Sequence, residues 1–217
     1  MGHPVPPPDD ERRPPAAVDR AAAPPFAPPP LVLASASPQR RALLERLGVE
    51  FSVRAQHVEE LEAGDPREAV LENALRKARA AREQGVRGTV LGCDTVVALS
   101  GVIYGKPPDE QAARATLRAL SGATHEVLGG VALLAGADER TGVACTEVSF
   151  RALTDELIEW YLARGEWRGR AGGYAIQGAG AALVAAVRGD YENVVGLPLA
   201  LLLEMCPTLL GAGTDVR

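Results

Sequence analysis

From Leu31 onward the chain alternates short apolar runs with longer amphipathic ones. LVLAS (31–35) reads as a buried strand, and PQRRALLERLG (38–48) as a helix closed by Gly48. VEFSVRA (49–55) alternates as a strand does, while PREAVLENALRKARAAREQG (66–85) has the length and spacing of a helix. TVLGCDTVVAL (89–99) is a strand that continues past Asp94 to a turn at Ser100-Gly101, and Asp109–Leu120 is helical. HEVLGGVALLAG (125–136) and GVACTEVSFRAL (142–153) read as two long strands joined in a hairpin. Thr154 caps a helix in DELIEWYLARG, ALVAAVRG (182–189) is a further strand, and Leu197–Met205 a last helix. Strand–helix alternation plus a hairpin predicts an α/β fold, a mixed sheet with helices packed on it.

Composition separates the ends from this body. Residues 1–30 hold 11 of the 17 prolines and almost nothing to bury, so they are expected to form a disordered extension. A proline-rich ligand for a partner domain is the alternative. Residues 31–210 form the expected domain and 211–217 a flexible tail. At 47% hydrophobic and 24% charged, the chain has an ordinary globular composition. Its net charge of -5 argues against a general nucleic-acid binder but leaves room for a small polyanion held by a few local cations. Cys93, Cys145 and Cys206 are widely spaced and form no CxxC pair, which points to buried thiols in a reducing cytosol. No stretch approaches the roughly 20 apolar residues that span a bilayer, and the first residues lack a secretory apolar region. A cytoplasmic protein is expected.

Four stretches could carry chemistry. In SASPQRR (35–41), Ser37 and Pro38 form a strong helix start, and a strand leading into it aims backbone donors at an anion site. Arg40 and Arg41 in the first turn oppose the helix dipole, a conflict that an anionic ligand resolves; an ordinary capped surface helix is the alternative. Asp94 sits in an apolar strand and needs a metal, a cation or solvent as partner, unless it is a turn aspartate bonded to backbone. Glu60 could be a second carboxylate for the same metal. Lys77, one turn after Asn73, and Lys106 in YGKPPD are either plain surface charge or part of the set of cations that a triphosphate requires. In GRAGGYAIQGAGAALV (169–184), glycines allow close backbone approach, and the uncharged Gln177 suits a base edge.

LASASPQRRALLERLG, ALRKA, GCDTVVAL, GKPPDEQAARATLRALSGATHEV, TEVSF, AGGYAIQG and GDYENVVGLPL, in this order, resemble the Maf family of nucleotide pyrophosphatases, named for septum-formation inhibition. The resemblance implies a twisted mixed α/β sheet in two lobes with the active site in the cleft between. It implies that Asp94 is the general base or metal-linked carboxylate, with Ser35, Arg40, Glu60, Lys77 and Lys106 lining the phosphate and metal region. DTV and YAIQG look like the branch acting on dTTP and UTP; the 7-methyl-GTP branch usually carries Gln at the position of Asp94 and Glu at that of Gln177. Specificity is therefore expected at Gln39, Thr95 and Gln177. Gln39 departs from the pyrimidine branch, which often has Arg there, and Arg170 replaces a common Lys.

The expected reaction is hydrolysis of dTTP or UTP to the monophosphate and pyrophosphate, with Mg²⁺ or Mn²⁺ held by Asp94 and Glu60. The rival readings are a nucleotide-binding regulator of septation without turnover and a pyrophosphatase for purine or modified nucleotides. GxxxxGK[ST] is absent, which disfavours a P-loop enzyme. The expected partner is the nucleoside triphosphate substrate, with a homodimer left open and neither nucleic acid nor membrane involved.

Overall fold

The computed structural model describes residues 30–210, so the expectations for the proline-rich start and the tail lie outside the described residues, Pro30 apart. The elements run β1 (Leu31–Leu33), α1 (Pro38–Arg46), β2 (Phe51–Val53), α2 (Pro66–Glu83), β3 (Thr89–Leu99), β4 (Val102–Tyr104) and α3 (Glu110–Leu120). They continue as β5 (Thr124–Ala135), β6 (Asp138–Phe150), α4 (Asp155–Leu162), β7 (Val184–Arg188), α5 (Tyr191–Val195) and α6 (Leu199–Met205), with 3-10 turns at Ala171–Gly173 and Ala179–Leu183. The strands form one mixed sheet in the order β2-β1-β3-β5-β6-β7, with β4 also on β3. β1 is parallel to β2 and β3, and every other pairing is antiparallel.

The helix starts follow from their caps. Asp65 accepts from the N–H groups of Arg67 and Glu68 ahead of α2, Asp109 caps α3, and Thr154 caps α4 as the sequence predicts. Two elements were not read from the sequence: β4, three residues directly after the turn at Ser100-Gly101, and α5, five residues. β6 begins at Asp138 rather than 142, because Ala135 pairs with Asp138 across a tight turn at Gly136-Ala137. The polar run Asp138–Arg140 hid that end.

β3 is the axis of the molecule. β5 lines one of its edges without interruption from Val90 to Ala98. The other edge is shared: β1 covers Thr89–Leu91 and β4 covers Val97–Leu99. Residues 92–96 therefore have a neighbouring strand on one side only. Side chains alternate between two faces. Val90, Val96 and Ala98 pack in the clusters that include α2, while Leu91 and Cys93 join the core under α1 and α6. Val97 joins a second large core formed with α3 and α4. β5 divides in the same way, with Val131 and Leu133 in the first large core and Val127 in the second.

α2 lies unusually close to the sheet. A Cβ on Gly92 would stand 2.2 Å from the Ala74 carbonyl oxygen, and one on Gly130 2.3 Å from that of Val70. The helix answers with small side chains, Ala74, Ala78 and Ala81, all fully buried. This close approach brings the polar positions of α2 down onto β3.

Of the three thiols, Cys93 and Cys206 are buried and Cys145 is half-buried. The expectation of three buried thiols is corrected at Cys145, which sits on β6 with its Sγ 3.3 Å from the Glu126 carboxylate.

Candidate active site

A cleft of ≈ 880 Å³ opens at the unpaired stretch of β3. Because no strand covers that edge, side chains from both faces of β3 reach it: Asp94 from the α2 face, Thr95 and Val97 from the other. All nine residues singled out from the sequence line this one cleft: Ser35, Gln39, Arg40, Glu60, Lys77, Asp94, Thr95, Lys106 and Gln177.

Asp94 is 4% exposed, and it is a mid-strand aspartate rather than a turn residue. Lys77 donates to Asp94 Oδ1 at 2.6 Å, and Asn73 Nδ2 donates to Oδ2 at 3.0 Å. Lys77 Nζ also lies 2.7 Å from Glu60 Oε1, so one ammonium joins the two carboxylates. Glu60 Oε2 accepts from Lys106 at 3.0 Å. Burial works against the Glu60 charge, but hydrogen bonds and attraction from Lys77 and then Lys106 outweigh it and hold the carboxyl at about 2.

Arg40 is held differently. It is buried, and its guanidinium donates to the Gly196 carbonyl at 2.7 Å, to Ser35 Oγ at 2.8 Å and to Thr95 Oγ1 at 2.9 Å. All three acceptors are neutral, and among the described residues Arg40 makes no ion pair. Its neighbour Arg41 points outward and pairs with Glu45 at 2.7 Å, so only one of the two arginines at this helix start serves the cleft. Ser37 caps α1 through the Arg40 N–H, and its hydroxyl also donates to Gln39 Oε1 at 3.2 Å.

The opposite wall comes from the segment between α4 and β7. Glu166, Arg168, Arg170, Tyr174 and Gln177 all line the cleft. Gly172 turns there with φ 67°, a conformation side chains rarely adopt. Glu166 Oε2 accepts from the Ala179 N–H at 2.7 Å, bracing the chain just after Gln177. In total five lysines and arginines face the cleft against three carboxylates, in a chain of net charge -5. That local surplus suits a polyanion.

Several of these groups were outside the sequence reading. Asn73 was noted only for its spacing from Lys77, and Arg168 and Glu166 were not singled out. The Gly196 carbonyl leaves no side-chain signature at all, although the GDYENVVGLPL motif contains it.

The fold and the cleft define an α/β protein with a polyanion-receptive site at a gap in its sheet. The sequence model of the Maf-like protein family matches residues 30–209, and the chain belongs to that family. It is 46% identical over 183 residues to a dTTP/UTP pyrophosphatase of Deinococcus radiodurans, covering 84% of this chain and 92% of that protein. A dTTP/UTP pyrophosphatase of Pyrococcus furiosus is 43% identical over 174 residues, covering 79% of this chain and 91% of that protein. One from Anaeromyxobacter dehalogenans is 49% identical over 173 residues, covering 77% and 87%.

Proposed function

We propose that this protein hydrolyses nucleoside triphosphates to the monophosphate and pyrophosphate, with dTTP and UTP as its preferred common substrates. The observation that carries the reading is the cleft's charge arrangement: a buried Arg40 with no acidic partner among the described residues, beside the Asp94–Lys77–Glu60–Lys106 chain. The relatives named dTTP/UTP pyrophosphatase support the choice of base.

Arg40, Lys77 and Lys106 hold the phosphate charge in this reading, with Ser35 adding a hydroxyl. Each Asp94 oxygen accepts one hydrogen bond and keeps capacity for another, which lets it orient a water and take up its proton. Asp94 and Glu60 would hold a divalent cation. Among the described residues no group of three acids, histidines or cysteines gathers as a metal cage. Two carboxylates fit Mg²⁺ or Mn²⁺, whose other ligands would be phosphate oxygens and water. Such an ion supplies neutralisation of the phosphate charge when bound. Gln177 pairs through its amide with the donor–acceptor edge shared by uracil and thymine, while Gln39 and Thr95 act from the α1 side.

No helix among the described residues is long and apolar enough to cross a membrane. The unpaired thiols agree with a reducing compartment, so we place the reaction in the cytoplasm. The test is a panel of triphosphates with Mg²⁺ and Mn²⁺, scored for pyrophosphate. Highest kcat/KM for dTTP and UTP is expected. Nucleotide binding without pyrophosphate release, or preference for 7-methyl-GTP over UTP, would overturn the reading.

A further inference from the structure

Asn73 is fully enclosed at 1% exposure, one turn before Lys77 on α2. Its amide has three partners on two different segments. Oδ1 accepts from the Leu61 N–H at 2.7 Å, and Nδ2 donates both to the Leu61 carbonyl at 3.1 Å and to Asp94 Oδ2 at 3.0 Å. An N–H on one side and two oxygens on the other leave the amide only this orientation.

Leu61 directly follows Glu60, in a stretch from Arg54 to Glu62 with no regular secondary structure. Such a stretch has no ladder of its own to hold Glu60 in place. Arg76 reaches the Glu59 carbonyl at 3.0 Å, but Arg76 is partly exposed and does not touch Asp94. Among the described residues, Asn73 is the one uncharged side chain bonded both to Asp94 and to the backbone beside Glu60.

We propose that Asn73 is a positioning residue that couples the Glu60 segment to Asp94 and fixes the separation of the two carboxylates. The proposal rests on the metal role given above to Asp94 and Glu60 for its functional consequence, but not for its structural one. Lys77 joins the same carboxylates by charge, on a flexible stem. Asn73 adds a rigid amide that sets the angle of Asp94 and the height of Glu60 together. Residues that orient metal-binding carboxylates from behind typically change metal affinity by ~10–100-fold when lost.

The test replaces Asn73 in the full chain by Leu, and by Ser as a smaller change should Asn73→Leu fold poorly. Two quantities are read. Backbone hydrogen exchange over residues 57–63 should accelerate at least ~10-fold, with β3 unaffected. The Mg²⁺ concentration for half-maximal turnover should rise ~10–100-fold while kcat at saturating Mg²⁺ largely recovers. A merely structural residue would lower Tm and kcat without shifting the Mg²⁺ requirement. Unchanged exchange at 57–63 overturns the coupling, whether or not the wild type is active. Faster exchange with an unchanged Mg²⁺ requirement overturns the carboxylate-setting role. A wild type inactive on every triphosphate sinks the functional reading instead and leaves the exchange result to decide the coupling.

Discussion

Arg40 and Lys77 are both buried cations, held in opposite ways. Lys77 is neutralised by two carboxylates, whereas Arg40 is satisfied as a donor but has no counter-charge among the described residues. The difference decides what a substitution at Asp94 does. In Asp94→Asn, Lys77 keeps Glu60 at 2.7 Å, so the ammonium is not left alone and the fold should survive. The charge needed for water activation is lost, and kcat should fall on the order of 10²–10⁴. Wild-type turnover in a variant with a normal Tm would refute the assignment. His125 supplies a second expectation at this scale. It is 1% exposed, its Nε2 is 2.9 Å from the Tyr174 hydroxyl, and its Nδ1 has no hydrogen-bond partner among the described residues. Burial lowers its pKa from 6.5 to about 4. The unfolded chain therefore binds a proton between those values that the folded one does not. Stability should fall as pH drops from 6.5 to about 4, by up to ~3 kcal/mol for this group, and the loss is complete below that window. Urea unfolding of the wild type and His125→Gln at pH 7 and pH 4.5 checks it: the variant's stability should be flatter across the window, and parallel curves would show that another group is responsible. Except for Glu60, the expected site residues lie in the motifs that carry the family resemblance, and the structure brings all nine to one cleft. Asn73–Leu61 and Arg40–Gly196 were not legible, since a side chain bonded to distant backbone has a partner without a side-chain identity.

At the scale of elements, α2 and β3 form one unit whose spacing has no slack. Gly92→Ala would place its methyl 2.2 Å from the Ala74 carbonyl oxygen and 2.8 Å from Ala78 Cβ, neither of which can rotate away. The helix must lift, at a cost of ~1–3 kcal/mol, and Lys77 and Asn73 lift with it. Gly92→Ala should therefore lower both the urea midpoint and kcat, while kcat should be spared if the strain relaxes locally. The helices α1 to α4 were the most legible elements, because each starts at a side-chain cap. β4 and α5, of three and five residues, were not read from the sequence, although Asp190 caps α5. The gap between β1 and β4 could not be read either: it is a property of pairing, and β3 itself is one continuous strand from Thr89 to Leu99.

Across the whole molecule, β3 and β5 run through both large cores, so the two lobes around the cleft share a common spine. The α/β class and its helices-on-sheet arrangement were legible from alternation alone. The cleft's two walls differ in origin, one from the N-terminal half and one from the segment after α4, and specificity should reflect both. Gln39 stands at the start of α1, tied to Ser37. Gln39→Arg adds a cation beside an already cationic cleft, and it should change the ratio of kcat/KM for UTP over CTP and the purine triphosphates with little change in Tm. An unaltered substrate ranking would remove Gln39 from the specificity set.

The same asymmetry sets where the family's diversity can arise. Against the α2 wall, glycines at 92 and 130 and alanines at 74, 78 and 81 leave no volume for inheritance to work on. The facing wall is a chain segment turned by glycines at 165, 169, 172 and 173, each with φ between 66° and 70°; between those fixed turns the side chains of Glu166, Arg168 and Arg170 line the open cleft rather than a packed sheet. Lineages that acquire new bases to hydrolyse should therefore carry their substitutions at the non-glycine positions of residues 165–178, with the α2 wall passed on nearly unchanged.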